Sequence, residues 1–413
     1  MRYLGNKTKL LPSIERVLAE RGVRPPGVFV DVFSGSGAVA RRMKELGWRV
    51  VANDHLVCAA TQARAAVGLD RAPRLDGVLS RPEVRELARS LPALAPATDP
   101  EASGATRELL LVLAYLNAAP IAREGLIFRQ YGAGGVAGRR FFTAEVARRI
   151  DGVRETLRTW RREGSLSPDE EPVLLAALLD ACDRCANISG TYGAFLKSWQ
   201  TNARGPLLLR PPVVVPGRGS RVHNRDGNEL LREVEGSVLY VDPPYHRRQY
   251  AKNYHVLEVV AELANIEDEA AYEADIYGTT GLRAFHDRKS AYCQGSARKG
   301  PSPCETAFAD LVAEARVEHV LVSYSEEGLL SREAFERVFA PACPDFDWGE
   351  ALTEVSYKRF RSDGDSAARR YRQLAGRSRD EVREWLIYAR KPLALRTSRK
   401  APRVPAAAVR PVR

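Results

Sequence analysis

Residues 28–54 restrict the possible folds more than any other stretch. A β-rich run, Val28 to Phe33, breaks at Ser34-Gly35-Ser36-Gly37, and Ala38 to Leu46 has helical composition. Gly47 closes that helix, and a second β-rich run, Trp48 to Ala52, finishes in Asn53-Asp54. Strand, glycine turn, helix and strand in this order make a β-α-β unit, whose strands are parallel neighbours. Parallel sheets are covered by helices on both faces, so the chain is expected to be an α/β protein.

The flanking sequence fits such a sheet but splits it. Lys9 to Arg21 is helical, with Leu10, Leu11, Ile14, Val17 and Leu18 on one face, and Pro25-Pro26-Gly27 ends it. From Leu69 to Pro216 the pattern changes to helices rich in Ala, Leu and Arg, separated by Pro and Gly clusters and without period-two alternation. Strand-like runs resume at Ser237 to Val241 and Val317 to Ser323, followed by a hairpin pattern at Leu352 to Phe360 and Trp385 to Ala389. We therefore expect a sheet domain made of residues 1–68 and 217–391, a helical insert at 69–216, and a disordered basic tail at 392–413. That tail carries Arg396, Arg399, Lys400, Arg403, Arg410 and Arg413 and no acid.

The chain has 413 residues and 63 Lys and Arg against 52 Asp and Glu, a formal charge of +11 that favours an anionic partner, nucleic acid first. No apolar run approaches the roughly 20 residues that span a bilayer. Met1 to Leu11 lacks the apolar core of a secretory signal, so a cytoplasmic home is expected. The six cysteines do not pair into a zinc spacing, and Cys182 and Cys185 sit in an apolar helical run, so we expect buried thiols and no metal.

Two motifs carry chemistry. In Asp31-Val32-Phe33-Ser34-Gly35-Ser36-Gly37 the glycines let backbone approach a ligand while the N–H groups of the next helix point at it. With Ala40 the loop fits the dinucleotide spacing, and Asp54 is placed to accept bonds from ribose hydroxyls. A carboxylate at Asp31 would repel a pyrophosphate, but it suits the ammonium and sulfonium of S-adenosylmethionine; a purely capping Asp31 is the alternative. The second motif is Asp242-Pro243-Pro244-Tyr245 after the apolar strand Val238 to Val241. The adenine amino group is a poor nucleophile because its lone pair is conjugated with the ring. A carboxylate at Asp242 and the Pro243 carbonyl can accept both N–H bonds and turn that pair outward, while Tyr245 offers a face for an extruded base. A plain strand-ending turn is the alternative.

With these motifs in this order, the chain resembles the Dam-like (alpha-order) adenine-specific DNA methyltransferases. The resemblance implies a Rossmann-like S-adenosylmethionine-dependent sheet with an inserted helical target-recognition subdomain. It also implies methylation of the exocyclic amino nitrogen of adenine in a specific double-stranded DNA sequence, by base flipping and direct in-line attack. Arg2-Tyr3-Leu4-Gly5-Asn6-Lys7 looks like the family's N-terminal cofactor element, which implies cofactor contacts from Tyr3, Gly5 and Lys7. Asp31, Phe33, Ser34, Gly35 and Gly37 match the central cofactor motif, Asp54 the ribose acid, and Asp226 an acid near the cofactor adenine or else a helix cap. Catalysis falls to Asp242, Pro243, Pro244 and Tyr245.

For DNA, we single out Arg139 and Arg140 in a glycine-rich loop before an amphipathic helix at Thr143 to Arg162, whose arginines are expected mostly outward. Lys197 and Arg204 belong to a segment mixing aromatic and amide groups, and Arg248 and Lys252 to the run Arg247 to His255, expected to lie against DNA. Tyr277 to Pro301 is either a lid or clamp or a passive loop. A cognate restriction endonuclease is admitted as a partner. The rival readings are an RNA or protein-amide methyltransferase and a catalytically silent DNA-binding protein.

Overall fold

The computed structural model describes residues 3–90, 105–262, 266–283, 285, 288–295, 300–358 and 381–392. The expected basic tail, apart from residue 392, and the end of the hairpin's first arm at Phe360 lie outside the described residues.

Among the described residues seven strands form one sheet: β1 (Val28–Asp31), β2 (Arg49–Asn53), β3 (Arg221–His223), β4 (Val238–Val241), β7 (His319–Ser325), β8 (Leu352–Lys358) and β9 (Glu381–Arg390). Their order is β3-β2-β1-β4-β7-β9-β8. The first five in that order are parallel, while β9 runs antiparallel to both β7 and β8, as the hairpin pattern required. This is the α/β, Rossmann-like architecture expected of a methyltransferase. The central strands are apolar along their length because both faces are covered. Phe29, Val50, Tyr240 and Leu321 pack under the helices Leu11–Glu20 and Ala38–Glu45, while Val30, Leu239, Val320 and Val322 face Pro303–Glu314 and Arg332–Phe339.

Sequence did not anticipate β3, whose three residues are not buried. It also missed a two-stranded hairpin of β5 (Ile276–Tyr277) and β6 (Leu282–Arg283). Both are too short to show a period.

Between residues 69 and 216 the described residues contain helices, among them Arg107–Ala118, Ala144–Arg162 and Glu171–Cys185, and no named strand. These helices share one apolar core with Leu56, Cys58 and Ala59 of the sheet region and with Val256 to Ala261. This helical stretch is therefore packed into the protein rather than hung from it. All six cysteines are buried and unpaired to one another. No helix among the described residues is long and apolar enough to cross a membrane.

The arginines of Ala144–Arg162 correct an expectation. Arg149 donates to the carbonyls of Leu116, Asn117, Ala119 and Ile121, closing the end of the helix Arg107–Ala118. Arg154 is buried between Asp151 and the carbonyl of Val260. Arg148, Arg158 and Arg161 pair with Glu124, Glu155 and Glu171. These five heads are held by the fold, and Arg162 is exposed. Arg149→Ala strands several carbonyls at a helix end and is expected to destabilise the protein by about 2–3 kcal/mol, read from denaturant melts, with cofactor affinity unchanged.

Candidate active site

β1 and β4 are adjacent and in register, Val30 opposite Leu239 and Asp31 opposite Tyr240. The chain continues from β1 to β2 on one side while β4 lies on the other, so the sheet's switch point opens there, where α/β proteins hold ligands. A cavity of about 600 Å³ occupies this edge. It is lined by Tyr3, Gly5 and Lys7 from the N-terminus; by Asp31 at the end of β1 and Phe33, Ser34 and Gly35 after it; and by Asp54 after β2 and Asp226 after β3. Asp242, Pro243 and Pro244 after β4 complete it. The two motifs, far apart in sequence, thus meet in one cavity.

Gly37 and Tyr245 stand just outside the lining. Gly37 is left-handed, φ +73°, and starts the helix Ala38–Glu45. The Tyr245 ring packs against His246 and Tyr324, at 4.5 and 5.8 Å between centroids, with Lys7 Nζ 5.3 Å from its own. Gly35 is required on two counts: its φ is +51°, and a Cβ there would sit 2.7 Å from the Tyr3 ring. Gly35→Ala is expected to weaken cofactor binding by at least about tenfold in calorimetric titration, because the loop must move into the ligand's space.

Asp31 is 1% exposed, and neither carboxylate oxygen has a hydrogen-bond partner. The N–H groups of Phe33 and Ala40 lie near enough to ease its charge without satisfying it. Burial, then the neighbouring Asp242 and Asp54, hold its pKa well above the carboxylate range. Asp54 accepts from the N–H of Gly35 at 2.8 Å and of Leu56 at 2.9 Å, fixing the glycine loop to the end of β2, and burial pushes it up to about 6. Each of its oxygens keeps a second lone pair for a ligand. Asp226 caps Gly227–Leu231, accepting from the N–H of Asn228 and Glu229, and it also lines the cavity.

Lys7 is 3% exposed, and its ammonium lies 3.2 Å from Asp242 Oδ1 and also binds Glu384. Ser323 Oγ donates to the same Glu384 oxygen at 2.7 Å. Burial pushes Asp242 up to about 7, with Lys7 pulling the other way. Glu384 was missed by sequence reasoning. The available signal was an acid at a period-two position between Val382 and Leu386, which are buried on β9.

Other contributors were also missed. Tyr254 stacks on Tyr3 at 4.7 Å, its hydroxyl accepting from the Leu4 N–H, and Tyr250 donates to the Leu4 carbonyl. These two tyrosines of the Arg247 to His255 run pack on the N-terminal segment, and His255 is buried between the carbonyls of Lys252 and Thr280. Glu258 caps the helix Val57–Val67 through the N–H groups of Val57 and Cys58. From the 277–301 stretch, Arg288, Ser290, Ala291 and Tyr292 form part of the cavity wall, held by Gln249 bonded both ways to Ser290 and by Tyr292 on Asn228.

Of the basic residues singled out for DNA, Arg139 is the most enclosed. It is 9% exposed, and its guanidinium bonds to Gln130 and to the carbonyls of Gly278 and Thr279, bracing the glycine-rich loop against the β5–β6 hairpin. Arg140, Lys197, Arg204, Arg248 and Lys252 are exposed, and Arg140 reaches the Lys197 carbonyl.

Comparison with known proteins agrees with this geometry. The sequence profile of the D12 class N6 adenine-specific DNA methyltransferases matches residues 3–78 and 121–298. The chain is 32% identical to the type II methyltransferase M.FokI of Planomicrobium okeanokoites over 97% of its own length, spanning 54% of that relative. It is 30% identical to M.NlaIII of Neisseria lactamica over 88% of its length and 93% of the relative's, and 26% identical to the modification methylase StsI of Streptococcus sanguinis, of which it spans 49%. With the cofactor loop and the Asp-Pro-Pro-Tyr motif converging on one cavity and the family profile running through both, the chain belongs to the D12 class N6 adenine-specific DNA methyltransferases.

Proposed function

We propose that the chain transfers a methyl group from S-adenosylmethionine to the exocyclic amine of adenine in a specific double-stranded DNA sequence. The observation that carries this reading is Asp31, a buried carboxylate without a partner in the same cavity as Asp242-Pro243-Pro244. An ammonium is the complement such a carboxylate lacks. Asp31 would hold the ammonium of the methionine end, Gly35 would let the backbone close on it, Asp54 would take the ribose hydroxyls and Asp226 would sit near the adenine ring. Bound there, the cofactor supplies a methyl group activated by positive sulfur.

The chain's own residues do the rest. Asp242 accepts one N–H of the target amine and the Pro243 carbonyl accepts the other, which turns the nitrogen lone pair out of conjugation and along the line of attack. Tyr245 stacks on the extruded base. The proton leaves to Asp242 or to water afterwards. Arg140, Lys197, Arg204, Arg248 and Lys252 contact the duplex, the helical stretch at 69–216 reads the sequence, and a cognate restriction endonuclease shares the site.

Modification sequencing of DNA from cells expressing the protein is the test. N6-methyladenine confined to one sequence context is expected; an unmodified genome beside methylated RNA would establish the RNA reading instead.

A further inference from the structure

Glu384 is fully buried on β9, where an apolar side chain would continue the face of Val382 and Leu386. A buried ion pair adds little to stability over an apolar replacement, so the fold alone gives no reason for a carboxylate here. Its surroundings give one. The carboxylate is fixed by Ser323 Oγ on β7 and holds the ammonium of Lys7, whose other contact is Asp242 Oδ1 at 3.2 Å. We propose that Glu384 is a positioning residue for methyl transfer, holding Lys7 between two carboxylates so that the ammonium engages Asp242 on Oδ1 alone and leaves Oδ2 to accept the substrate N–H. This rests on the methyltransferase reading above.

A lone Lys7–Asp242 pair would behave differently. An ammonium has three N–H donors, so without Glu384 that of Lys7 would close on Asp242 and occupy the oxygens the amine needs. The groups that bear on Asp242 electrostatically are Lys7 from the N-terminal segment, Glu384 from β9, Asp31 from β1, Tyr240 from β4, and Tyr245 and Tyr250 beyond it. Among them Glu384 opposes ionisation of Asp242 and Lys7 favours it. Removing the Glu384 charge while keeping its shape therefore lets Asp242 ionise at lower pH and at the same time makes it a poorer acceptor.

The experiment compares wild type, Glu384→Gln and Glu384→Asp in single-turnover methyl transfer to duplex DNA across pH, with cofactor Kd and melting temperature measured on the same preparations. Glu384→Gln is expected to slow transfer about ten- to hundredfold at alkaline pH. Its acid limb is expected to move down by at least about half a pH unit, with cofactor Kd within about threefold of wild type. Glu384→Asp, which restores the charge, is expected to return the limb to its wild-type position. An unmoved limb in Glu384→Gln overturns the proposal, whether the rate is preserved or falls in step with melting temperature and cofactor affinity. Should Glu384→Gln not fold, Ser323→Ala decides: a rate at least about threefold lower at constant cofactor Kd supports the chain from Ser323 to Asp242, and a wild-type rate overturns it. Failure of the wild type itself to methylate DNA would instead remove the methyltransferase reading, and this proposal with it.

Discussion

Asp242→Ala is expected to lower the single-turnover rate of methyl transfer by roughly 10²–10³-fold while cofactor affinity stays within a few-fold. The carboxylate acts on the target amine, whereas the cationic end of the cofactor is met by Asp31. The fold should tolerate the change, because Lys7 keeps its ion pair with Glu384 and no buried charge is orphaned. In the wild type, burial pushes Asp242 up to about 7. A protonated carboxyl is the poorer acceptor, so the rate should fall as pH drops through neutrality and level off above it. Rapid-quench assays over pH measure both effects; a rate in the alanine variant equal to wild type would remove Asp242 from the chemistry.

Asp31→Asn is expected to weaken cofactor binding by about ten- to hundredfold, the loss of one charge-assisted bond of roughly 1.5–3 kcal/mol. The same substitution should make the cofactor-free protein more stable at neutral pH. Burial and the neighbouring Asp242 and Asp54 raise the folded-state pKa of Asp31 above its unfolded value, so in the free protein this residue costs stability at every pH above the unfolded pKa. Asparagine removes that cost. For the same reason, binding a cation at Asp31 expels a proton, and wild-type affinity should rise with pH. Calorimetric titration in buffers of different ionisation enthalpy, with thermal melts of the free proteins, gives all three quantities. Unaltered cofactor affinity in Asp31→Asn would show that the carboxylate does not meet the ammonium.

The parts of this site that could be read from sequence are those written in consecutive residues. The loop from Asp31 to Gly37 and the tetrad from Asp242 to Tyr245 each join an apolar strand to a turn whose residue types have few other uses, and the two strands, β1 and β4, are neighbours in the sheet. What was hidden depends on partners distant in the chain. Glu384 lies 377 residues from Lys7, and nothing near either residue names the other. Periodicity placed the arginines of Ala144–Arg162 on the polar side of a helix, but it could not tell that the carbonyls of residues 116–121 would stand opposite Arg149. The setting of Arg139 was hidden for the same reason, since its partners at Gly278 and Thr279 belong to a hairpin too short to be seen as strands. Tyr250 and Tyr254, embedded in a basic run, turn inward because Tyr3 needs a stacking partner where the N-terminal segment crosses the cavity.

The most direct measurement incubates the purified chain with duplex DNA and S-adenosylmethionine bearing a trideuterated methyl group, then digests the DNA and analyses its nucleosides by mass spectrometry. Joint action of Asp31 and Asp242 in one cavity predicts the label on the exocyclic nitrogen of deoxyadenosine, greatly reduced with either variant. Label on another base, or equal label on deoxyadenosine when Asp242 is alanine, would contradict it.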